Sequence, residues 1–177
     1  MKPNLFVILL IALFAMPTAH AEGTYAGVIF GQVESEDIKT DNLGFVIGSS
    51  PDKGAGFEFF YAPTISEDEV SAGPFDADIT IDTYGILVYY KTGTDDFDGY
   101  LKVKAGIAVV DLEFDFENLG SIDDDTSGLA YGIAFGTRIG SGALEFTYLI
   151  LPEFDDFQGI EIDANVDMFG ISYQWDF

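Results

Sequence analysis

Cysteine is absent from this 177-residue chain, which excludes a disulfide framework, a thiolate zinc site and a cysteine nucleophile. Positive charge is scarce: seven Lys and Arg stand against 31 Asp and Glu, for a formal net charge of −24. A protein that neutralises a phosphate backbone needs clustered cations, so nucleic acid is excluded as a partner. Histidine occurs once, at position 20. No apolar run reaches the roughly 20 residues of a spanning helix, and no stretch sustains a 3.6-residue period. What the chain does have is 48% hydrophobic residues, 17 Phe, nine Tyr and 20 Gly. That composition belongs to one packed domain and not to a disordered tail.

The first 21 residues read as an export signal. Lys2 supplies the positive start, Leu5–Ala15 is an apolar run of 11 residues, and Pro17 breaks it. Ala19-His20-Ala21 then fits a small-x-small cleavage site. Cleavage after Ala21 is expected, leaving residues 22–177 as a single domain. It removes Lys2 and His20, so six cations face 31 acids at a net charge of −25.

The remainder alternates with a period of two, broken by clusters of Gly, Asp, Ser and Pro. Eight strands are predicted: 24–32, 41–49, 56–64, 79–91, 99–112, 128–140, 143–151 and 165–177. Several are near ten residues long, the length of a tilted strand crossing a bilayer. Three connections are short, at Ser50-Pro51-Asp52-Lys53-Gly54, at 92–97 and at Gly140-Ser141-Gly142. The others are longer and acidic. Short turns at one end and long loops at the other imply an even strand number, with both termini at the periplasmic end.

The facing of side chains decides between a soluble and a membrane barrel. In the sixth strand Leu129, Tyr131, Ile133, Phe135 and Ile139 share one face, and Ala130, Gly132, Ala134, Gly136 and Arg138 the other. The seventh sets Leu144, Phe146, Tyr148 and Ile150 against Glu145 and Thr147. Large residues on one side and small or charged ones on the other place lipid outside and a narrow filled lumen inside. The expected fold class is therefore all-β, an eight-stranded antiparallel up-and-down transmembrane β-barrel, closed because hydrocarbon tolerates no free strand edge. The fourth strand is ambiguous. Either Tyr84, Ile86, Val88 and Tyr90 or Ile79, Ile81, Leu87 and Tyr89 could face lipid, with a bulge near Thr83 reconciling the sets. The first strand shares that ambiguity.

The last strand carries Phe169, Ile171, Tyr173, Trp175 and Phe177 on one face, with Gly170 turned inward. On these residues the chain resembles the small outer-membrane barrel superfamily, porin-like, that includes the transmembrane domains of outer-membrane proteins A and X. The resemblance implies that Gly170, Ile171, Tyr173, Trp175 and Phe177 form the terminal signal read by the barrel-assembly machinery of a Gram-negative bacterium. It implies insertion in the outer membrane as a monomer, among lipid and lipopolysaccharide, with a lumen closed by salt bridges. No peptidoglycan-binding domain is expected after the eighth strand.

Two groups of residues are candidate sites. The first is a lumen charge network of Glu58, Lys102, Lys104, Arg138 and Glu145, in which the three cations are expected to pair with the two carboxylates. Arg138–Glu145 is the expected neighbour pair. The network acts either as a static plug or as a gate. The second is the acidic rim, where 21 of the 31 acids fall in four predicted loops or, as Asp41 and Asp111, at the strand ends that flank them. Such a rim concentrates cations. Asp123-Asp124-Asp125 is the candidate loop for weak Ca²⁺ or Mg²⁺ binding, although no twelve-residue EF-hand loop is present. No other cofactor is expected. Without histidine in the mature chain, Ser-His and Asp-His chemistry is excluded, and no enzyme is expected. The two functional readings are a surface-interaction anchor and a narrow cation-preferring channel.

Overall fold

The computed structural model describes residues 23–35, 38–72, 75–93, 98–116, 120–157 and 160–177. The expected signal peptide lies outside them. Strands β1 (Thr24–Ser35) and β2 (Ile38–Ser49) form the first hairpin. The third wall strand is interrupted, as β3 (Gly54–Ala62), β4 (Thr64–Ser66) and β5 (Asp68–Ala72). The wall continues with β6 (Phe75–Gly93), β7 (Gly99–Phe116), β8 (Gly120–Ile139), β9 (Gly142–Phe157) and β10 (Ile160–Asp176). Every pairing is antiparallel, and β1 pairs with both β2 and β10, so the sheet closes as an eight-stranded barrel. At the closure Thr24 and Phe177 exchange two backbone hydrogen bonds, of 3.0 and 2.9 Å.

The short-turn ends of the strands fall within one or two residues of expectation. Gly140, at φ 64°, makes the β8–β9 turn in the left-handed region where a side chain is strained. The other ends run on. β7 continues to Phe116 and β8 begins at Gly120, so acids expected in loops lie on paired strands. The cause is an inversion of the alternation. Along β7, Leu101, Val103 and Ile107 face out while Lys102 and Lys104 are buried. Further on, Leu112 is buried and Asp111, Glu113 and Asp115 occupy the opposite face. Lipid surrounds the lower half and water the upper, and each half turns its matching residues outward.

The interior is therefore not uniformly small and polar. Its outer half holds an apolar core that includes Val33, Phe60, Ile79, Ile81, Val110, Leu151, Val166 and Met168. Each large side chain fully buried there stabilises the fold by about 1.5–3 kcal/mol. This core rigidifies the lumen above the charged residues.

The expected bulge near Thr83 is absent. β6 pairs with β7 in unbroken register from Ala77–Phe116 to Gly93–Tyr100. Ile79, Ile81, Leu87 and Tyr89 point inward, while Ile86, Val88 and Tyr90 are exposed. The two competing sets are the two faces of one regular strand. The irregularity sits across the ladder, at Pro63, which has no N–H to donate and ends β3. Asn42 repairs the gap. Its buried amide donates to the Ala62 carbonyl at 2.9 Å and the Ile81 carbonyl at 2.8 Å, tying β2, β3 and β6 together.

Candidate functional site

Halfway down the lumen β3, β7 and β9 each point charged side chains at the axis. Glu58 comes from β3, Lys102 and Lys104 from β7, and Glu145 from β9; all four are at most 3% exposed. Lys104 Nζ lies 2.6 Å from Glu58 Oε1 and 2.8 Å from Glu145 Oε1. Lys102 Nζ lies 2.7 Å from Glu145 Oε2 and 3.6 Å from Glu58 Oε2. Two cations and two anions thus alternate around a neutral ring that crosses the barrel. Isolated ions would be very costly in so dry a place, and mutual pairing plus further hydrogen bonds offsets much of that cost.

Those further bonds come from Tyr25 and Tyr100, which the alternation alone did not single out, and from Thr147, which it placed on the inner face beside Glu145. Tyr25 of β1 donates to Glu58 Oε2 at 2.6 Å, and Tyr100 donates to Glu145 Oε2 at 3.0 Å. Thr147 bridges Lys104 and Glu145, each at 3.3 Å. Lys102 Nζ sits 4.8 Å from the Tyr25 ring centre and 4.5 Å from that of Tyr89, in an aromatic cage. Tyr89 is fixed by a hydrogen bond to the Ser49 carbonyl. Among the described residues no buried side-chain nitrogen or oxygen lacks a partner. One signal for Tyr100 was in the sequence: it continues the every-second-residue series of Lys102 and Lys104.

Arg138 is not part of the ring, and the expected Arg138–Glu145 pair does not form. Glu145 lies opposite Gly136, whereas Arg138 lies opposite Ala143, one step nearer the end of the barrel. Its guanidinium closes over the short-turn mouth onto Asp52 of the β2–β3 turn, and its side chain is 44% exposed. Beneath that lid, Lys91, Tyr100, Lys102 and Gln174 leave about 10 Å³, space for no more than one water. The lumen is thus obstructed at the mouth, at the ring and by the apolar core.

Asp123, Asp124 and Asp125 are not a loop. They pair with Glu113, Leu112 and Asp111 on β7, so successive side chains alternate between the two faces of the wall. Three carboxylates that alternate in this way cannot converge on one ion. Among the described residues no three His, Cys, Asp or Glu side chains are placed so that they could hold one metal ion. The C-terminal residues lie as expected: Ile171, Trp175 and Phe177 are exposed and Gly170 is buried. Tyr173 and Trp175 pack edge to face at 4.9 Å, an aromatic pair at the short-turn rim. Tyr61 and Tyr84, 6.4 Å apart, mark the opposite rim.

The amino-acid sequence matches the outer membrane protein beta-barrel domain family over residues 5–177. No curated protein matches it. Solved structures of the same fold include Ail, the attachment invasion locus protein of Yersinia pestis. It is 13% identical, with 88% of this chain and 97% of that one covered and a TM-score of 0.57. Neisserial surface protein A is 12% identical, at 88% and 96% coverage and a TM-score of 0.59. The outer membrane protein OprG from Pseudomonas aeruginosa is 15% identical, at 88% and 96% coverage and a TM-score of 0.58. At such identities the likeness is one of fold.

Proposed function

The chain belongs to the outer membrane protein beta-barrel domain family, and from that premise we propose that it is a non-conducting anchor. It displays acidic hairpins outside a Gram-negative cell. The observation that carries this reading is the filled lumen, with the Glu58–Lys102–Glu145–Lys104 ring below and the apolar core above. An eight-stranded barrel has an interior only wide enough for its own side chains. Here those side chains are bonded to one another. Residues 1–21 direct export and are removed, and the barrel inserts as a monomer.

The displayed surface is what remains for function. Asp78, Asp82, Asp111, Glu113, Asp115, Asp123 and Asp125 share the outward face of the β6–β7–β8 extension. Such a field favours cationic partners and repels anionic ones. Ail was crystallised with the heparin analogue sucrose octasulfate. The acidic face of this chain selects the opposite charge.

The deciding measurement is planar-bilayer conductance of the folded protein, with folding verified by heat-shifted gel mobility. A silent bilayer is expected. Discrete cation-selective steps would overturn the anchor and favour the narrow channel.

A further inference from the structure

The barrel wall parts along one seam in its outer half. β8 pairs with β9 only from Ile139–Gly142 up to Tyr131–Ile150, whereas its ladder with β7 runs on to Phe116–Gly120. The sequence supplies the reason. The next bonded pair of the β8–β9 ladder would join Leu129 to Pro152, which has no N–H to donate. β9 leaves β8 there and keeps its ladder with β10 as far as Phe157–Ile160. One side-chain bond still crosses the seam, from the Thr126 hydroxyl to the Glu153 carbonyl at 3.1 Å. Beyond it, among the described residues, no strand pairs with that side of β8.

Two bonds fix the direction of the β8 amides. The Arg138 N–H donates to the Asp98 carbonyl, on the β7 side, at 3.0 Å. Even-numbered amides of this unbroken strand therefore turn to β7, and odd-numbered ones turn to the seam. Asp125 agrees: its N–H donates to the Asp124 carboxylate at 3.0 Å, a local bond in place of a ladder one. Gly120–Asp125 is thus a sheet edge, and its two faces differ. Outward stand Ser121, Asp123 and Asp125, backed by Asp115, Glu113 and Asp111 of β7. On the other face Ile122, 41% exposed, stands opposite Phe114, whose ring stacks on that of Phe116 at 6.5 Å.

We propose that this edge takes up an extended peptide segment of a partner protein as an added antiparallel strand, with basic residues at alternate positions and an apolar residue between them opposite Ile122. Backbone bonds to Ser121 and Asp125 hold it, as they hold any added strand. The side chains select it. Its outward residues continue rows that are acidic on the neighbouring strands, such as Asp82, Asp111 and Asp125, so Lys or Arg is favoured there and Asp or Glu repelled. Its inward residue covers Ile122 and extends the apolar row of Phe114. A second copy is the natural competitor for an open edge. Paired edge to edge, that copy would bring its own Asp123 and Asp125 into the same acidic rows, so the charges that attract a basic strand exclude self-association. The inference rests on the acidic extension being the displayed surface, and it adds the kind of partner and the way it is held.

The test uses the full protein folded in lipid nanodiscs and a short acetylated peptide of alternating lysine and valine. Fluorescence anisotropy of the labelled peptide reads binding, and amide hydrogen exchange reads its place. Several-fold slower exchange is expected at Ser121 and Asp125 and none on β10, with binding that weakens as salt is raised. The same residues in two blocks, lysines then valines, are expected to bind several-fold more weakly. So is the alternating peptide N-methylated along its bonding edge, which keeps every charge and loses the ladder. In the protein, Asp125→Pro removes an edge amide and spares the β7 ladder. It is expected to weaken binding several-fold more than Asp125→Asn, which removes only the charge. Gel mobility confirms that each variant is folded, and the N-methylated peptide on the wild-type protein decides the matter if the proline variant is not. Equal binding by the N-methylated peptide, or protection away from β8, overturns strand addition and leaves the cation-preferring surface standing. Equal binding by an alternating glutamate and valine peptide overturns both. A dimer joined through β8 overturns the choice of occupant, and no binding by the lysine peptide overturns the inference outright. Conductance would count against the closed lumen and leave the exchange pattern unchanged.

Discussion

Tyr25 and Glu58 meet inside the barrel at 2.6 Å, the hydroxyl of the first strand donating to a carboxylate of the third. Lys104 holds the other oxygen of the same carboxylate at 2.6 Å. Tyr25 therefore does more than fill space: it completes the coordination of a buried anion. Tyr25→Phe keeps the ring over Lys102 and removes that donor, together with the 3.5 Å hydrogen bond the hydroxyl accepts from Lys102 Nζ. A hydrogen bond to a charged group contributes about 1.5–3 kcal/mol, and a loss of that order is expected. Urea unfolding in lipid vesicles measures it, and an unchanged midpoint would show that Glu58 has another donor.

Removing a member of the ring costs more. Glu145 neutralises both lysines, at 2.7 and 2.8 Å. Glu145→Gln leaves two buried ammonium groups sharing one carboxylate, and breaking a buried pair costs about 3–5 kcal/mol. Arg138→Ala breaks an exposed pair with Asp52, for which about 0–1 kcal/mol is expected. The two variants, compared in one unfolding series, separate the ring from the mouth. Equal losses would contradict the placement of Arg138.

The contrast explains how much of the site was legible in the sequence. Alternation identifies which residues face inward, so Glu58, Lys102, Lys104 and Glu145 could be read as lumen charges. It does not give height along the barrel. Arg138 shares their face but stands one inward step beyond Gly136, and only the β8–β9 register shows that this step ends at the mouth. Tyr89 was obscured because both faces of β6 carry large apolar residues. Below the rim one face meets lipid, above it the other meets the core, and period-two patterning does not mark the crossing. The acidic stretches were legible as exposed. Their strand pairing was not, since Asp is a poor strand former and the apolar residues alternating with it override that preference.

Asn42 makes the interrupted wall testable. Its amide bonds two carbonyls on different strands where Pro63 has ended the ladder. Asn42→Leu removes both bonds, leaving the Ile81 carbonyl to the Thr64 hydroxyl at 2.9 Å and the Ala62 carbonyl to the Thr83 hydroxyl at 3.5 Å, and a loss of about 1–3 kcal/mol is expected. Hydrogen exchange should accelerate at Leu43 and Ile81 and stay unchanged on β8 and β9. Uniform acceleration would mean that the seam has no separate stability.

The acidic extension holds one more consequence of register. Asp82 lies directly opposite Asp111, and Asp111 directly opposite Asp125, so three carboxylates form a row across β6, β7 and β8. Side chains directly opposite one another in a sheet stand about 4.5–5.5 Å apart, and like charges there are destabilising. Asp125→Asn removes one end of the row without changing its shape. It is expected to stabilise the hairpin by about 0.2–1 kcal/mol at low salt, on the scale of cross-strand pairs. At about 1 M salt the screening length falls to about 3 Å, and the gain should vanish. Hydrogen exchange of β8 amides near Ser127, in low and high salt, gives the comparison. A gain that survives high salt would trace to packing and not to repulsion. A loss at low salt would show that the Asp125 carboxylate is favourably engaged in its charged form.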